Sequence, residues 1–157
     1  MKNLPTNYIF ALLVLFSTFF PTITAANGKE NAMTADNNEK IIRAFVSSWS
    51  ELDVDKLVSY FSEDGTYYNM PTQPIKGHEN LKRFIAGFIR NWSSTNWEII
   101  NLIAKDDVVM VERIDRTIVN GKEINLPCFG IFEMKEGKII EWRDYFDLAT
   151  YTNALEK

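Results

Sequence analysis

The stretch DVVMVERIDRTIVNGKEINLPCFGIFEMKEGKIIEWRDYFD, residues 107–147, decides the fold. Apolar and polar residues alternate along it, and two turn signals divide it into strands at about 107–119, 122–134 and 138–147. Asn120-Gly121 is the pair that a two-residue type I′ hairpin turn prefers, because both central residues need positive φ. Lys135-Glu136-Gly137 reads as a three-residue loop, with Gly137 in the left-handed position that closes a bulge. Asp106–Asp107 turns an earlier strand, at about 96–104, into the first of the three.

Turns set register, and register says which side chains meet. The first loop pairs Val119 with Lys122, so Arg113 is expected opposite Cys128 and Asp115 opposite Leu126. The second pairs Met134 with Lys138, so Cys128 is expected opposite Asp144 and Leu126 opposite Phe146. Arg113, Cys128 and Asp144 then fall in one row, with Asp115 two residues along and on the same face. A two-residue second loop would send Asp144 to the opposite face. Its apolar companions Ile140, Trp142 and Phe146 favour the longer loop. Val109, Val111, Thr117, Gly130 and Phe132 complete this face, while Glu141, Arg143 and Asp147 on the reverse read as solvated.

Upstream the periodicity is helical. Ile41, Ile42, Phe45, Val46 and Trp49 form one stripe, with capping candidates at Asp36, Asn37 and Asn38. A short second helix starts near Asp53 and carries Leu57, Tyr60 and Phe61. A strand follows from Gly65 to Met70. A third helix from about Gly77 presents Leu81, Phe84, Ile85, Phe88, Ile89 and Trp92, a stripe best read as packing. Helices followed by an antiparallel run define an α+β domain.

The cluster suggests chemistry. Burying charge is costly, so two carboxylates sharing one arginine tend to keep a single shared proton. One carboxyl is then a neutral acid while the other is a base, as concerted general acid–base catalysis requires. The planar fork of Arg113 can bridge both, which a lysine could not do with the same geometry. Taken alone, Arg-x-Asp on a strand is more often a surface ion pair of little energetic consequence. The apolar face brings the pocket reading level with it.

The rest of the 157 residues bounds the answer. The length suits one domain, 46% hydrophobic content with eleven Phe, six Tyr and four Trp suits a lined cavity, and a net charge of −4 argues against nucleic acid. Residues 1–26 read as a signal peptide: Lys2, an apolar run from Ile9 to Phe20 too short to span a membrane, then Thr24-Ala25-Ala26 with cleavage after Ala25 or Ala26. The expectation is an exported protein without stable membrane insertion, residues 27–36 being a polar spacer and 37–157 the domain. Cys128 is the only cysteine, so no internal disulfide forms, and at a pocket wall it reads as a small hydrophobe. With one His, His78, and one Cys, a zinc site is not expected, and His78 reads as solvated. Asn91-Trp92-Ser93 fits a glycosylation acceptor, relevant only in a eukaryote.

Three segments together, Tyr67-Tyr68-Asn69-Met70-Pro71, Glu112-Arg113-Ile114-Asp115-Arg116 and Trp142-Arg143-Asp144-Tyr145-Phe146-Asp147, resemble limonene-1,2-epoxide hydrolase and its relatives. Leu126 to Phe132 and the turn Glu136-Gly137-Lys138-Ile139 are similar too, so the resemblance spans roughly Glu39 to Leu148. It implies a cone-shaped curved sheet closed by helices, the fold of nuclear transport factor, ketosteroid isomerase and polyketide cyclases. It implies one-step hydrolysis of a small apolar epoxide by water, without cofactor, metal or covalent intermediate. By motif, Asp144 is the base, Tyr67 and Asn69 hold the water, Asp115 is the acid and Arg113 links the aspartates. Leu126, Cys128, Trp142 and Phe146 are expected to wall the pocket, and a homodimer through the outer sheet face is implied. The leader and spacer depart from the usual cytosolic pattern. Two other readings remain: isomerase or cyclase chemistry on the same fold, which does not call for an arginine bridging two carboxyls, and an exported binder of apolar ligands.

Overall fold

The structure is a computed structural model that describes residues 23–70 and 72–156. The predicted leader up to residue 22, and Pro71, lie outside the described residues. In chain order the elements are α1 (Ile23–Ser48), a 3-10 turn (Trp49–Glu51), α2 (Val54–Ser59), β1 (Phe61–Asn69), β2 (Ile75–Lys76), α3 (His78–Ile89), β3 (Trp92–Lys105), β4 (Val108–Val119), β5 (Lys122–Lys135), β6 (Lys138–Phe146) and α4 (Leu148–Glu156). One mixed six-stranded sheet has the order β2-β1-β6-β5-β4-β3. Every pairing is antiparallel except β1 with β6, which is parallel. The α+β expectation holds, with a curved, unclosed sheet carrying helices on its inner face.

Helix α1 begins at Ile23, so the stretch 27–36 expected as a structureless spacer is helical. The capping expectation at Asp36–Asn38 is therefore not met. Asn38 is buried and donates from Nδ2 to the Asp106 carbonyl, which ties the helix to the β3–β4 turn. Asp53 does cap α2, accepting from Lys56 N. The Ile42, Phe45, Val46 and Trp49 stripe packs on the sheet. The Phe45 ring meets Trp49, Tyr60, Phe61, Phe132 and Trp142 edge-on. Each such pair contributes roughly 0.5–1.5 kcal/mol beyond the area it buries. Phe61 starts β1 rather than ending α2, and Trp92 starts β3 rather than ending α3.

The first two hairpins form as expected. Lys105 pairs with Val108, Val119 with Lys122, and Arg113 with Cys128. Asn120 and Gly121 both have positive φ, +50° and +79°, as a type I′ turn demands.

The last hairpin differs from expectation in two ways that cancel. Lys135 pairs with Lys138, so the turn has two residues, Glu136 and Gly137, both at positive φ. A bulge then follows: Met134 pairs with Ile139 but Glu133 pairs with Glu141, leaving Ile140 as an extra residue. The short turn alone would have turned Asp144 outward, and the extra residue restores it to the inner face. The expected row is corrected by two positions. Cys128 lies opposite Phe146 and Gly130 opposite Asp144. Ile140 is exposed, and Ile139 takes its place in the core.

Candidate functional site

Arg113, Asp115 and Asp144 are 1%, 7% and 3% exposed, in a face otherwise filled by apolar side chains. β4 positions Arg113 and Asp115 two residues apart, so both point inward. β6 positions Asp144 one strand beyond β5, and the guanidinium crosses β5 diagonally to reach it. Arg113 donates from Nε to Asp115 Oδ1 at 2.8 Å and from Nη2 to Asp115 Oδ2 at 3.1 Å. It donates from Nη1 to Asp144 Oδ1 at 2.9 Å and from Nη2 to Asp144 Oδ2 at 2.7 Å. Both carboxylates are held bidentately by one planar group.

The crossing depends on Gly130. A Cβ there would lie 3.0 Å from Arg113 Nη1, from Phe132 Cε2 and from Trp142 Nε1. Each of these would have to give by a few tenths of an ångström to admit it. The guanidinium is stacked 4.5 Å from the Trp97 ring centre and 5.5 Å from that of Trp142. Trp142 is in turn stacked on Phe132 and on Tyr67, with centroids 5.2 and 4.1 Å apart. Cation–π contact adds favourable energy to a desolvated guanidinium.

Burial and charge set the protonation. Burial raises the Asp115 carboxyl to about 6, although the Arg113 charge pulls it down. Burial also raises Asp144, again against the charge and hydrogen bonds of Arg113. Burial works against the charge on Arg113, but the two carboxylates outweigh it and hold the guanidinium protonated. Burial and the nearby Asp144 keep Tyr67 a neutral phenol. The Cys128 thiol, pushed up mainly by burial, donates to Asp115 Oδ2 at 3.3 Å and remains un-ionised.

A cavity of about 200 Å³ opens over the cluster. That is the liquid volume of about seven waters, so its occupant is a small molecule. Tyr67, Asn69, Asp115 and Asp144 reach its lining, as do Leu126, Cys128 and Phe146. Asn69 pairs with Asp144 across the parallel β1–β6 ladder, which sets the two side by side. The buried Asn69 Oδ1 has no hydrogen-bond partner among the described residues.

Trp142 is a correction. It is fully buried beneath Tyr67 and does not line the cavity. The sequence reading missed walls that come from elsewhere: Phe84 and Phe88 of α3, Trp92 and Trp97 of β3, and Leu148 and Tyr151 of α4. The α3 aromatics, expected as packing, stack on one another at 5.9 Å and face the cavity. Helix α4 carried a readable signal in Asp147, whose carboxylate accepts from Ala149 N and Thr150 N as an N-cap. His78 is half-buried and places Nε2 3.1 Å from the Phe61 carbonyl rather than in solvent.

Asp115, Cys128 and Asp144 bring donor atoms within 4.8 Å of one another, a spacing that could suit a metal ion. The guanidinium already holds both carboxylates, however, and its fixed positive charge opposes a cation there.

A curved six-stranded α+β sheet carrying helices on its inner face is the nuclear transport factor-like fold. The family model described as a SnoaL-like domain matches residues 42–142, and the chain belongs to that family. It is similar to the epoxide hydrolase EphG of Mycobacterium tuberculosis, with 28% identity over 109 residues, 68% of this chain and 71% of the relative. In structure it is similar to an LEH-like epoxide hydrolase of M. tuberculosis, with TM-score 0.68 and 23% identity over 78% of this chain and 91% of that one. It is similar also to SalBIII, an epoxide hydrolase/cyclase-like enzyme with a role in pyran ring formation in the polyether salinomycin. There the TM-score is 0.66 and the identity 19%, over 73% of this chain and 94% of that one. At such identities the structural likenesses speak to the fold.

Two predictions follow from the packing and the charge. Gly130→Ala overpacks the guanidinium crossing and is expected to cost about 1–3 kcal/mol in urea unfolding; an unchanged midpoint would show that the crossing has slack. The second concerns pH. Native Asp115 keeps its proton up to about pH 6, whereas an ordinary carboxyl releases it near 3.8. Between those values the native state binds more protons, so this group's contribution to stability falls as pH rises through the window. Thermal melts from pH 7 to pH 4 should show a gain on acidification that is smaller in Asp115→Asn. Equal gains in both proteins would refute the assignment.

Proposed function

We propose that this protein is an epoxide hydrolase that converts a small, largely apolar epoxide, cyclic ones included, to a vicinal diol by one-step attack of water. One observation carries the reading: a single buried arginine holds two carboxylates, and both reach the same apolar cavity. The cluster carries one positive and two negative charges, and adding one proton makes it neutral. Burial favours that state.

The chemistry then divides between the two carboxyls. Asp144, ionised, takes a proton from water that Asn69 and Tyr67 orient beside it. The oxygen of that water forms a bond to one epoxide carbon while the carbon–oxygen bond of the ring breaks. Asp115, protonated, gives its proton to the departing oxygen. Arg113 stays charged and keeps both carboxyls in place. The pair resets when one proton passes from Asp144 to Asp115, so the charge of the cluster is the same before and after. Phe84, Phe88, Trp92 and Leu126 exclude bulk water and favour an apolar body. The similarity to an enzyme named an epoxide hydrolase supports the reading.

Isomerase or cyclase chemistry remains the alternative on this fold, but proton shuffling beside a carbonyl leaves the Arg113 bridge without a role. An exported binder would likewise have no use for a shared proton. The working form of the enzyme in this proposal is the exported domain, freed of its leader, as a homodimer. Ile103, Met110, Phe129 and Tyr145 are exposed on the outer sheet face and suit a second copy of the chain.

Asp144→Asn and Asp115→Asn are each expected to lower diol formation at least a thousandfold on terpene, cyclic and aryl epoxides while circular dichroism stays native. In labelled water, single-turnover product should carry its new oxygen from solvent. Oxygen from the protein would mean an aspartyl ester and a different mechanism, and an active Asp144→Asn would remove the base assignment. For the mature form, intact mass of secreted protein should give Ala26 or Asn27 as the first residue. Light scattering should give twice the chain mass, falling to one chain in Met110→Lys; a monomeric wild type would refute the dimer.

A further inference from the structure

The cavity holds a polar contact between two hydroxyls that the proposed reaction does not use. Thr117 stands on β4 two residues beyond Asp115, and both side chains line the cavity. Side chains at that spacing along a strand are roughly 7 Å apart. Around Thr117 the lining is apolar, with Trp92, Trp97, Ile124 and Leu126. Thr72, the other threonine of the lining, is exposed, so solvent serves it.

Thr117 is buried at 4% exposure, directly opposite Thr95 in the β3–β4 ladder. The two hydroxyl oxygens are 2.6 Å apart. A hydroxyl has one proton to give. Thr95 Oγ1 also lies 3.2 Å from the Arg116 carbonyl, which can only accept, and when Thr95 donates there the proton between the two hydroxyls is that of Thr117. Thr117 Oγ1 then has only lone pairs left to offer. A buried acceptor with unused capacity in an apolar wall discriminates in favour of a ligand that brings a donor.

We infer that Thr117 is a specificity-determining binding residue, and that the cavity takes an epoxide carrying a hydroxyl group roughly 7 Å from the ring oxygen. The hydroxyl donates to Thr117 Oγ1 while the ring oxygen faces Asp115. This rests on the hydrolase reading for the reacting end alone. A plain hydrocarbon epoxide fits the same space but leaves the Thr117 acceptor unfilled.

The test compares ligands that differ by one hydroxyl. Hexanamide and 6-hydroxyhexanamide are unreactive probes: the amide carbonyl accepts from the Asp115 acid and the amide N–H donates to Asp144. The reactive pair is 1,2-epoxyhexane and 5,6-epoxyhexan-1-ol. Titration calorimetry on the wild type should show 6-hydroxyhexanamide binding about fivefold more tightly, the size that one neutral hydrogen bond supplies. Thr117→Val should bring that ratio to about one, and Thr117→Ser should restore it. The KM values of the two epoxides should differ in the same sense. A wild-type ratio of one, or an undiminished ratio in a folded Thr117→Val, overturns the assignment. A hydroxyl preference in binding without turnover of either epoxide sinks the hydrolase reading and leaves Thr117 in place. Turnover of both epoxides with equal KM does the reverse.

Discussion

One guanidinium shared between two buried carboxylates is the constraint on which the rest of the site depends. Removing the arginine leaves two carboxylates without a counter-charge in a medium that solvates them poorly, and breaking such a group costs about 3–5 kcal/mol. The four hydrogen bonds fix where both acids stand, and their joint charge fixes how many protons they share. Much of the surrounding structure serves that crossing. Gly130 gives it a path, Trp97 and Trp142 cover the faces of the guanidinium, and Tyr67 and Phe132 hold Trp142 flat. A stable arrangement of charge and a working division between acid and base are thus the same arrangement.

The sheet and the helices divide the work. The sheet supplies the charged floor, because residues two apart on a strand share a face and neighbouring strands bring their rows together. The helices complete the apolar walls that strand residues such as Trp97 and Leu126 begin, and α3 and α4 dock over that floor with Phe84, Phe88, Leu148 and Tyr151. Parallel pairing of β1 with β6 joins the two halves of the chain at the point where it matters. It sets Asn69, from the helical half, beside Asp144, from the hairpin half.

This division explains what could be read from residues alone. Arg113, Asp115 and Asp144 were legible on one face because turn residues such as Asn120-Gly121 announce register, and register determines facing. The exact row was not legible, since the bulge at Ile140 has no signature in its side chains and the turn before it is one residue shorter than its Lys-Glu-Gly suggests. Trp142 shares the face of Asp144, so the alternation pointed it at the cavity. Its burial beneath Tyr67 follows from the parallel β1–β6 pairing, which sets the two rings side by side and which alternation along one strand does not reveal. Phe84 and Phe88 have the spacing of ordinary core positions, and only the tertiary docking of α3 distinguishes a wall from a core. The helix over 27–36 escaped notice because its residues are polar, so no apolar stripe marks it.

The bulge in the last hairpin has a consequence for how this chain can change. A short turn and an extra residue act together as a parity check on the strand that follows, and either one alone would present Glu141, Arg143 and Tyr145 to the interior in place of Trp142, Asp144 and Phe146. Insertions and deletions between Lys135 and Glu141 are therefore not independent events. A single-residue change in loop length must be matched by a second, opposite change within a few positions, or the base is lost together with the core. The constraint on this segment acts on counting rather than on the identity of any side chain.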